Sequence, residues 1–127
     1  MYFSDFSSEQ VHDLAFIWLY SHQSVINKTV DSVIIDELAE SLETHFSLES
    51  TIDSGDKHDL LSLAADEMHN VVYDAELRLN RLAVRIQSWK GSHKKGFMHY
   101  ITALQKSGFD VPQYQALLER VKLSHVH

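Results

Sequence analysis

The chain has no cysteine, one proline and four glycines among 127 residues. The lack of cysteine excludes disulfides, thiolate zinc sites and cysteine nucleophiles. The scarcity of proline and glycine, which punctuate turns, favours long helices over a β fold with many turns. The amino terminus has no basic leader, and the apolar run Leu14–Tyr20 is far shorter than the roughly 20 residues of a membrane-spanning helix. We therefore expect a cytoplasmic protein that does not enter a membrane.

The charge of the chain is unevenly distributed, although the net charge is only −7. Residues 1–77 hold two lysines against 16 acids, a net charge of −14, whereas residues 78–127 hold nine Lys or Arg against two acids, a net charge of +7. Such asymmetry is typical of a chain with one polyanion-binding end. It is equally typical of two halves that fold together and neutralise each other, and this second interpretation is our first expectation.

Hydrophobic periodicity predicts an all-α fold, a four- to five-helix bundle that forms a single domain of residues 1–127. Ser7 is expected to cap the first helix, with Gln10 three residues later reaching back to complete a capping box. Residues 47–57 are predicted to form a loop and residues 90–96, KGSHKKG, a basic turn. The predicted helices cover residues 8–27, 30–46, 59–90 and 97–107, and a fifth begins at Asp110.

The third predicted helix is the longest, because residues 59–90 contain neither glycine nor proline. Its apolar residues alternate at spacings of four and three, which is a heptad pattern and predicts the spine of a bundle. A thinner stripe of Leu63, Leu77 and Val84 lies beside this seam, and a break near Asn70 or Asn80 is an alternative to one straight helix. The seam consists of Leu61, Ala65, Met68, Val72, Ala75, Leu79, Leu82, Ile86 and Trp89.

The first predicted helix is apolar on two sides. A helical wheel places Leu14, Trp18 and their neighbours on a broad face that suits the core. The remaining apolar side chains fall on the other side, among polar residues. On a surface helix they would be exposed to solvent. We therefore predict that this second stripe is an interface with a second copy of the chain; it consists of Phe16, Ile17 and Tyr20.

Two acidic boxes on the second and third helices are candidates for a metal site. Glu37 and Glu40 lie one turn apart, as do Glu67 and Asn70, and two facing helices with oxygen ligands at this spacing can hold Mg²⁺. The two boxes resemble those of the MazG-like all-α nucleotide pyrophosphatases, in which an EExxE helix is followed by an ExxD helix. The resemblance implies a magnesium-dependent enzyme, although Asn70 stands where that pattern has an acid.

A basic segment follows the acidic half of the chain. Arginines at spacings of three and four could bind successive phosphates, which makes nucleic-acid binding a second alternative. The acids upstream and the negative net charge oppose it, so a nucleic-acid partner is not our expectation. The candidate polyanion-binding residues are Arg78, Arg81, Arg85, Lys90, Lys94 and Lys95.

The leading hypothesis is a non-catalytic interaction or regulatory module that needs no cofactor and self-associates through the first helix and the long helix. Acids occupy the first half of the long helix and bases its second half, so two antiparallel copies would place acid against base, as in a twofold homodimer. Another protein is the alternative partner. Mg²⁺ enters only under the pyrophosphatase-like alternative.

Overall fold

The computed structural model describes residues 1–23, 26, 29–106 and 119, and these form an all-α bundle of five α-helices. Short 3₁₀ turns cover Phe3–Asp5 and Ile86–Ser88. The predicted all-α class is confirmed, whereas the predicted fifth helix from Asp110 lies outside the described residues. The helices are α1 (Ser8–Ser21), α2 (Ser32–His45), α3 (Ser54–Tyr73), α4 (Ala75–Arg85) and α5 (Gly91–Lys106).

Short polar side chains fix where the first three helices begin. Ser7 accepts from the backbone N–H of Gln10 at 3.1 Å, and the Gln10 side chain accepts from the Ser7 N–H at 2.9 Å, which is the predicted capping box. Asp31 caps α2 and Asp53 caps α3 in the same way. Because Asp53 supplies a cap, α3 begins at Ser54, and the predicted loop of residues 47–57 is shorter than expected.

Helix α1 is the central element of the bundle. All six residues from Leu14 to Leu19 are buried, so both apolar stripes of the helix are covered by the chain itself. Helix α3 packs along α1, and from α5 the Tyr100 hydroxyl donates to the Leu14 carbonyl at 3.1 Å. An amphipathic surface helix would leave one side wet, whereas a helix that is apolar all round is buried.

The long helix predicted over residues 59–90 is interrupted at Asp74, which corrects that expectation. Asp74 ends α3, where its N–H donates to the Asn70 carbonyl, and it starts α4, where its carbonyl accepts from the Arg78 N–H. Before the break only Met68 of the predicted seam is buried, whereas Leu61 is half-buried and Ala65 and Val72 are exposed. The buried residues of α3 are Leu60, Ala64, Glu67, Met68 and Val71.

After the break the predicted seam positions Leu79, Leu82, Ile86 and Trp89 are all buried. The basic turn predicted for residues 90–96 is instead the first part of α5, which begins at Gly91. Within this segment His93 and Lys94 are buried, since the helix turns one face of the segment towards the bundle.

Gly96 allows α5 to approach the end of α2 closely. A Cβ atom built on Gly96 would overlap the Phe46 ring, at 2.6 Å from its Cε1 atom, whereas a Cβ on Gly91 would meet nothing within 4 Å. The Phe46 ring also contacts Phe6 edge to face, with 5.0 Å between ring centroids, so it has little room to move aside. Glycine at position 96 is therefore a packing requirement and not a turn.

We predict that Gly96→Ala destabilises the fold by about 1–3 kcal/mol, because the new methyl group must displace a packed aromatic ring. Gly91→Ala is the matched control and should be neutral or slightly stabilising, since alanine is the better helix residue. Urea unfolding followed by circular dichroism measures both free energies. Equal unfolding midpoints for the two variants would contradict the proposed ring contact.

Candidate functional site

The chain buries two carboxylates at the junction of α1, α3 and α4. Asp13 is 0% exposed and Glu67 is 5% exposed. An ionised carboxylate out of contact with water is very costly unless it is paired and hydrogen-bonded. The partner is Arg78 of α4, which is only 1% exposed and lies between the two acids.

The Arg78 guanidinium binds both acids. Its Nε donates to Glu67 Oε2 at 2.9 Å and its Nη2 to Glu67 Oε1 at 3.1 Å, a two-pronged contact, while Nη2 also lies 2.7 Å from Asp13 Oδ1. Burial alone would lower the pKa of Arg78, but the hydrogen bonds and charges of Glu67 and Asp13 outweigh it and raise that pKa above its usual value. Arg78 is therefore a permanent cation that joins three helices.

Two further side chains extend the network to the surface. Arg85 donates through Nε to Asp13 Oδ2 at 3.2 Å and through Nη2 to Asp13 Oδ1, and His12 Nδ1 lies 3.3 Å from Glu67 Oε1. Arg78 Nη1 is the one buried side-chain polar atom of the described residues without a hydrogen-bond partner. The Arg78 guanidinium carbon lies over the Phe16 ring, 5.2 Å from its centre, which is a cation–π contact. The network forms part of the core and has no free coordination position.

This geometry does not support the predicted magnesium site. The Glu67 carboxylate already accepts hydrogen bonds from Arg78 and from Asn70, whose amide donates to Glu67 Oε2 at 2.9 Å. Glu37 and Glu40 are exposed on α2. Among the described residues, no group of three or more His, Asp or Glu side chains is placed to hold a metal ion.

The residues predicted as an interface on α1 lie inside the chain's own bundle. Phe16 and Ile17 are 0% exposed, and Tyr20 is partly buried with its ring 5.6 Å from that of Phe16. Burial within one chain corrects the expectation for Phe16 and Ile17, because neither presents a surface to a second copy.

The predicted polyanion-binding residues do not share one surface. Arg78 and Arg85 are paired with acids, and Lys94 is mostly buried. Arg81, Lys90 and Lys95 are exposed, but Lys90 lines a polar cleft beside α1 whereas Lys95 lines a groove between α2 and α5. The basic segment is thus divided among the core and separate faces.

The cleft beside α1 has a volume of about 340 Å³ and contains His93. The Gln10 amide lies 3.1 Å from His93 Nδ1, and because Gln10 Oε1 already accepts from Ser7, its NH₂ group faces the imidazole and donates. The Phe6 ring stacks on His93 at 4.8 Å. Burial and the charge of Lys90 lower the pKa of His93, and Asp5 opposes them only in part. His93 is therefore held as a neutral acceptor.

Two further surfaces are exposed, and the sequence identified only the segment that forms the first, as part of the long helix expected to self-associate. One is the apolar outer face of α3 and α4 around Tyr73 and Leu77, and the other is the groove between α2 and α5 that contains His45 and His99. The thinner stripe of Leu63, Leu77 and Val84 was a signal for the first. The groove had no comparable signal, since its two histidines lie 54 positions apart in the sequence.

A scan against protein-family models, a search of curated proteins and a search of solved structures return no match for this chain. Within the described ranges, no helix has the length and apolar character needed to cross a membrane.

Replacement of Arg78 by methionine should cost about 3–5 kcal/mol of unfolding free energy, because Glu67 then remains as an uncompensated buried charge. Lys57→Met is the control, since Lys57 pairs with Asp36 at 3.1 Å on the surface. An exposed pair of this kind contributes less than about 1 kcal/mol. Chemical unfolding of both variants measures the two losses of unfolding free energy. Similar losses would show that the buried network contributes no more to stability than the surface pair.

The lowered pKa of His93 predicts a loss of stability in acid. The unfolded chain takes up a proton near pH 6.5, whereas folded His93 does so only at lower pH, so the unfolding free energy is full above about pH 6.5 and falls below it. Burial and nearby His99 lower the pKa of His45 as well, so it adds a loss of the same sign. His93→Gln should make the pH dependence shallower, as urea unfolding at a series of pH values measures.

The same prediction can be checked directly by NMR titration of the histidine ring protons. His93 should titrate below about pH 6.5, the ordinary value for histidine. A His93 titration at or above that value would contradict the assigned environment.

Proposed function

We propose that the protein is a non-catalytic interaction module that self-associates through the outer face of α3 and α4. The observation that carries the proposal is a cluster of exposed apolar side chains. Of six large apolar residues that the described chain exposes, four fall between positions 72 and 84: Val72 at 37%, Tyr73 at 72%, Leu77 at 66% and Val84 at 65%. Single exposed apolar residues are ordinary, but a cluster is typical of an interaction surface.

The apolar cluster lies opposite the face that α4 buries. Leu79, Leu82 and Ala83 pack into the core, whereas Leu77 and Val84 are seven residues apart and so share the outer side of the helix. The core is thus already complete without Leu77 and Val84. Their exposure supports a second surface that is covered by another molecule.

Charge favours a second copy of the chain as that molecule. With Leu77 and Val84 at the contact seam, Glu76 and Arg81 occupy the two flanks, at the g and e positions of a heptad. Two parallel α4 helices would place Glu76 of one copy beside Arg81 of the other, and the twofold axis would repeat this pair. Glu76 and Arg81 are exposed, and neither forms an ion pair with another described residue.

The parallel arrangement differs from the antiparallel pairing expected from the sequence. That expectation required one straight helix with an acidic and a basic half, and the break at Asp74 removes it. Two of the arginines of the basic half, Arg78 and Arg85, are also used inside the chain. The short helix α4 with its own flanking charges is the remaining basis for self-association.

Light scattering coupled to size exclusion tests the proposal on the full chain. We expect a dimer at tens of micromolar for the wild type and a monomer with unchanged helical signal for Leu77→Ser/Val84→Ser. Each copy loses two apolar contacts of up to roughly 1.5–3 kcal/mol each, so the dimer Kd should rise at least ~100-fold. Val33→Ser is the control, because Val33 is 62% exposed on α2, and this variant should remain dimeric.

A charge reversal tests which molecule covers the face. Glu76→Lys and Arg81→Glu should each weaken the dimer, since each places like charges together, and the double variant should restore it. A monomeric wild type, or a Val33→Ser variant that dissociates as readily as Leu77→Ser/Val84→Ser, would refute self-association through this face.

A further inference from the structure

A groove between the C-terminal end of α2 and the outer side of α5 contains two adjoining cavities. Both are lined by His45 and His99, and their volumes are about 490 Å³ and about 340 Å³. Met98 and Ala103 give the larger cavity an apolar wall, whereas the smaller one is lined by polar groups that include Ser92 and Lys95. Volumes of this size match small-molecule sites, which combine apolar walls with a few convergent polar groups.

The groove is positively charged in a chain whose net charge is −7. Lys95 lines the smaller cavity and Lys106 the larger, and no Asp or Glu of the described residues lines either. Neither lysine forms an ion pair with a described acid. The two ammonium groups and the two imidazoles are therefore available to an anion.

The start of α5 adds to this positive field at the smaller cavity. Lys94 N–H donates to the Lys90 carbonyl, so the preceding N–H groups at the start of α5 have no partner within the helix, and Ser92 lies in that first turn. A helix start carries partial positive charge and suits phosphate. The end of α2 carries the opposite partial charge, and His45 lies in that last turn.

We propose that this groove binds an organic phosphate monoester, with its phosphate among His45, His99 and Lys95 and its apolar group against Met98 and Ala103. A phosphate dianion satisfies several donors at once, and charge-assisted hydrogen bonds are roughly twice as strong as neutral ones. Burial, and then repulsion from His99, lower the pKa of His45. An anion between the two imidazoles removes that repulsion.

NMR titration of the full chain with phenyl phosphate, phenol and inorganic phosphate tests the site. We expect saturable shifts of the amide signals of Lys95, His99 and Thr102 with phenyl phosphate, weaker binding of inorganic phosphate, and none of phenol. Lys95→Gln/His99→Gln should weaken phenyl phosphate about tenfold or more, since two charge-assisted contacts are lost. Lys57→Gln/His58→Gln makes the same chemical change on α3, outside the groove, and should bind like the wild type.

Each other outcome overturns the proposal. An absence of saturable shifts, or equal affinities of the groove variant and the α3 control, would mean that the groove does not bind phosphate. Equal affinities for inorganic phosphate and phenyl phosphate would mean that the apolar wall plays no part, and the ligand would not be a monoester of an apolar group.

Discussion

Two carboxylates, Asp13 and Glu67, lie out of contact with water, and the arrangement of α1, α3 and α4 depends on their neutralisation. Arg78 reaches Glu67 although the two are eleven positions apart, a separation of roughly 16 Å along a straight helix. The break at Asp74 brings Arg78 back towards α3 and at the same time towards Asp13 on α1. Any sliding of α4 would separate a buried charge from its partner, so the ion pairs set the position of α4 against the bundle.

Local features of the fold could be predicted from the sequence, because their causes are local. The Ser7 and Gln10 capping box involves residues three positions apart, and the buried faces of α2 and α4 follow from apolar spacing. The sequence offered a break near Asn70 or Asn80 only as an alternative, and apolar spacing did not place it at Asp74. Apolar residues resume at heptad spacing after it, since α4 buries Leu79 and Leu82 in the core that α3 also faces. A periodic apolar pattern indicates which positions are buried, but it does not indicate whether the helix continues along one axis.

The candidate sites were harder to predict, because their residues are distant in sequence. Asp13 lies three and four positions before Phe16 and Ile17 and shares their face, and its charge favoured an outer face there, although all three side chains are buried. Arg78 and Arg85, seven positions apart, also share a face. Charge alone could not decide whether these arginines meet phosphates or acids of the same chain, and the structure shows acids, up to 72 positions away.

The ion pairs inside the chain determine which cationic side chains remain on the surface. Arg78 and Arg85 bind acids of the first half of the chain, whereas Lys95 and Lys106 fall in one groove that no acid of the described residues lines. The apolar cluster of Val72, Tyr73, Leu77 and Val84 lies on α3 and α4, whereas the groove is formed by α2 and α5. Since different helices form the two surfaces, self-association through one leaves the other open to a small anion. A change that abolishes one property should therefore leave the other intact unless it unfolds the bundle.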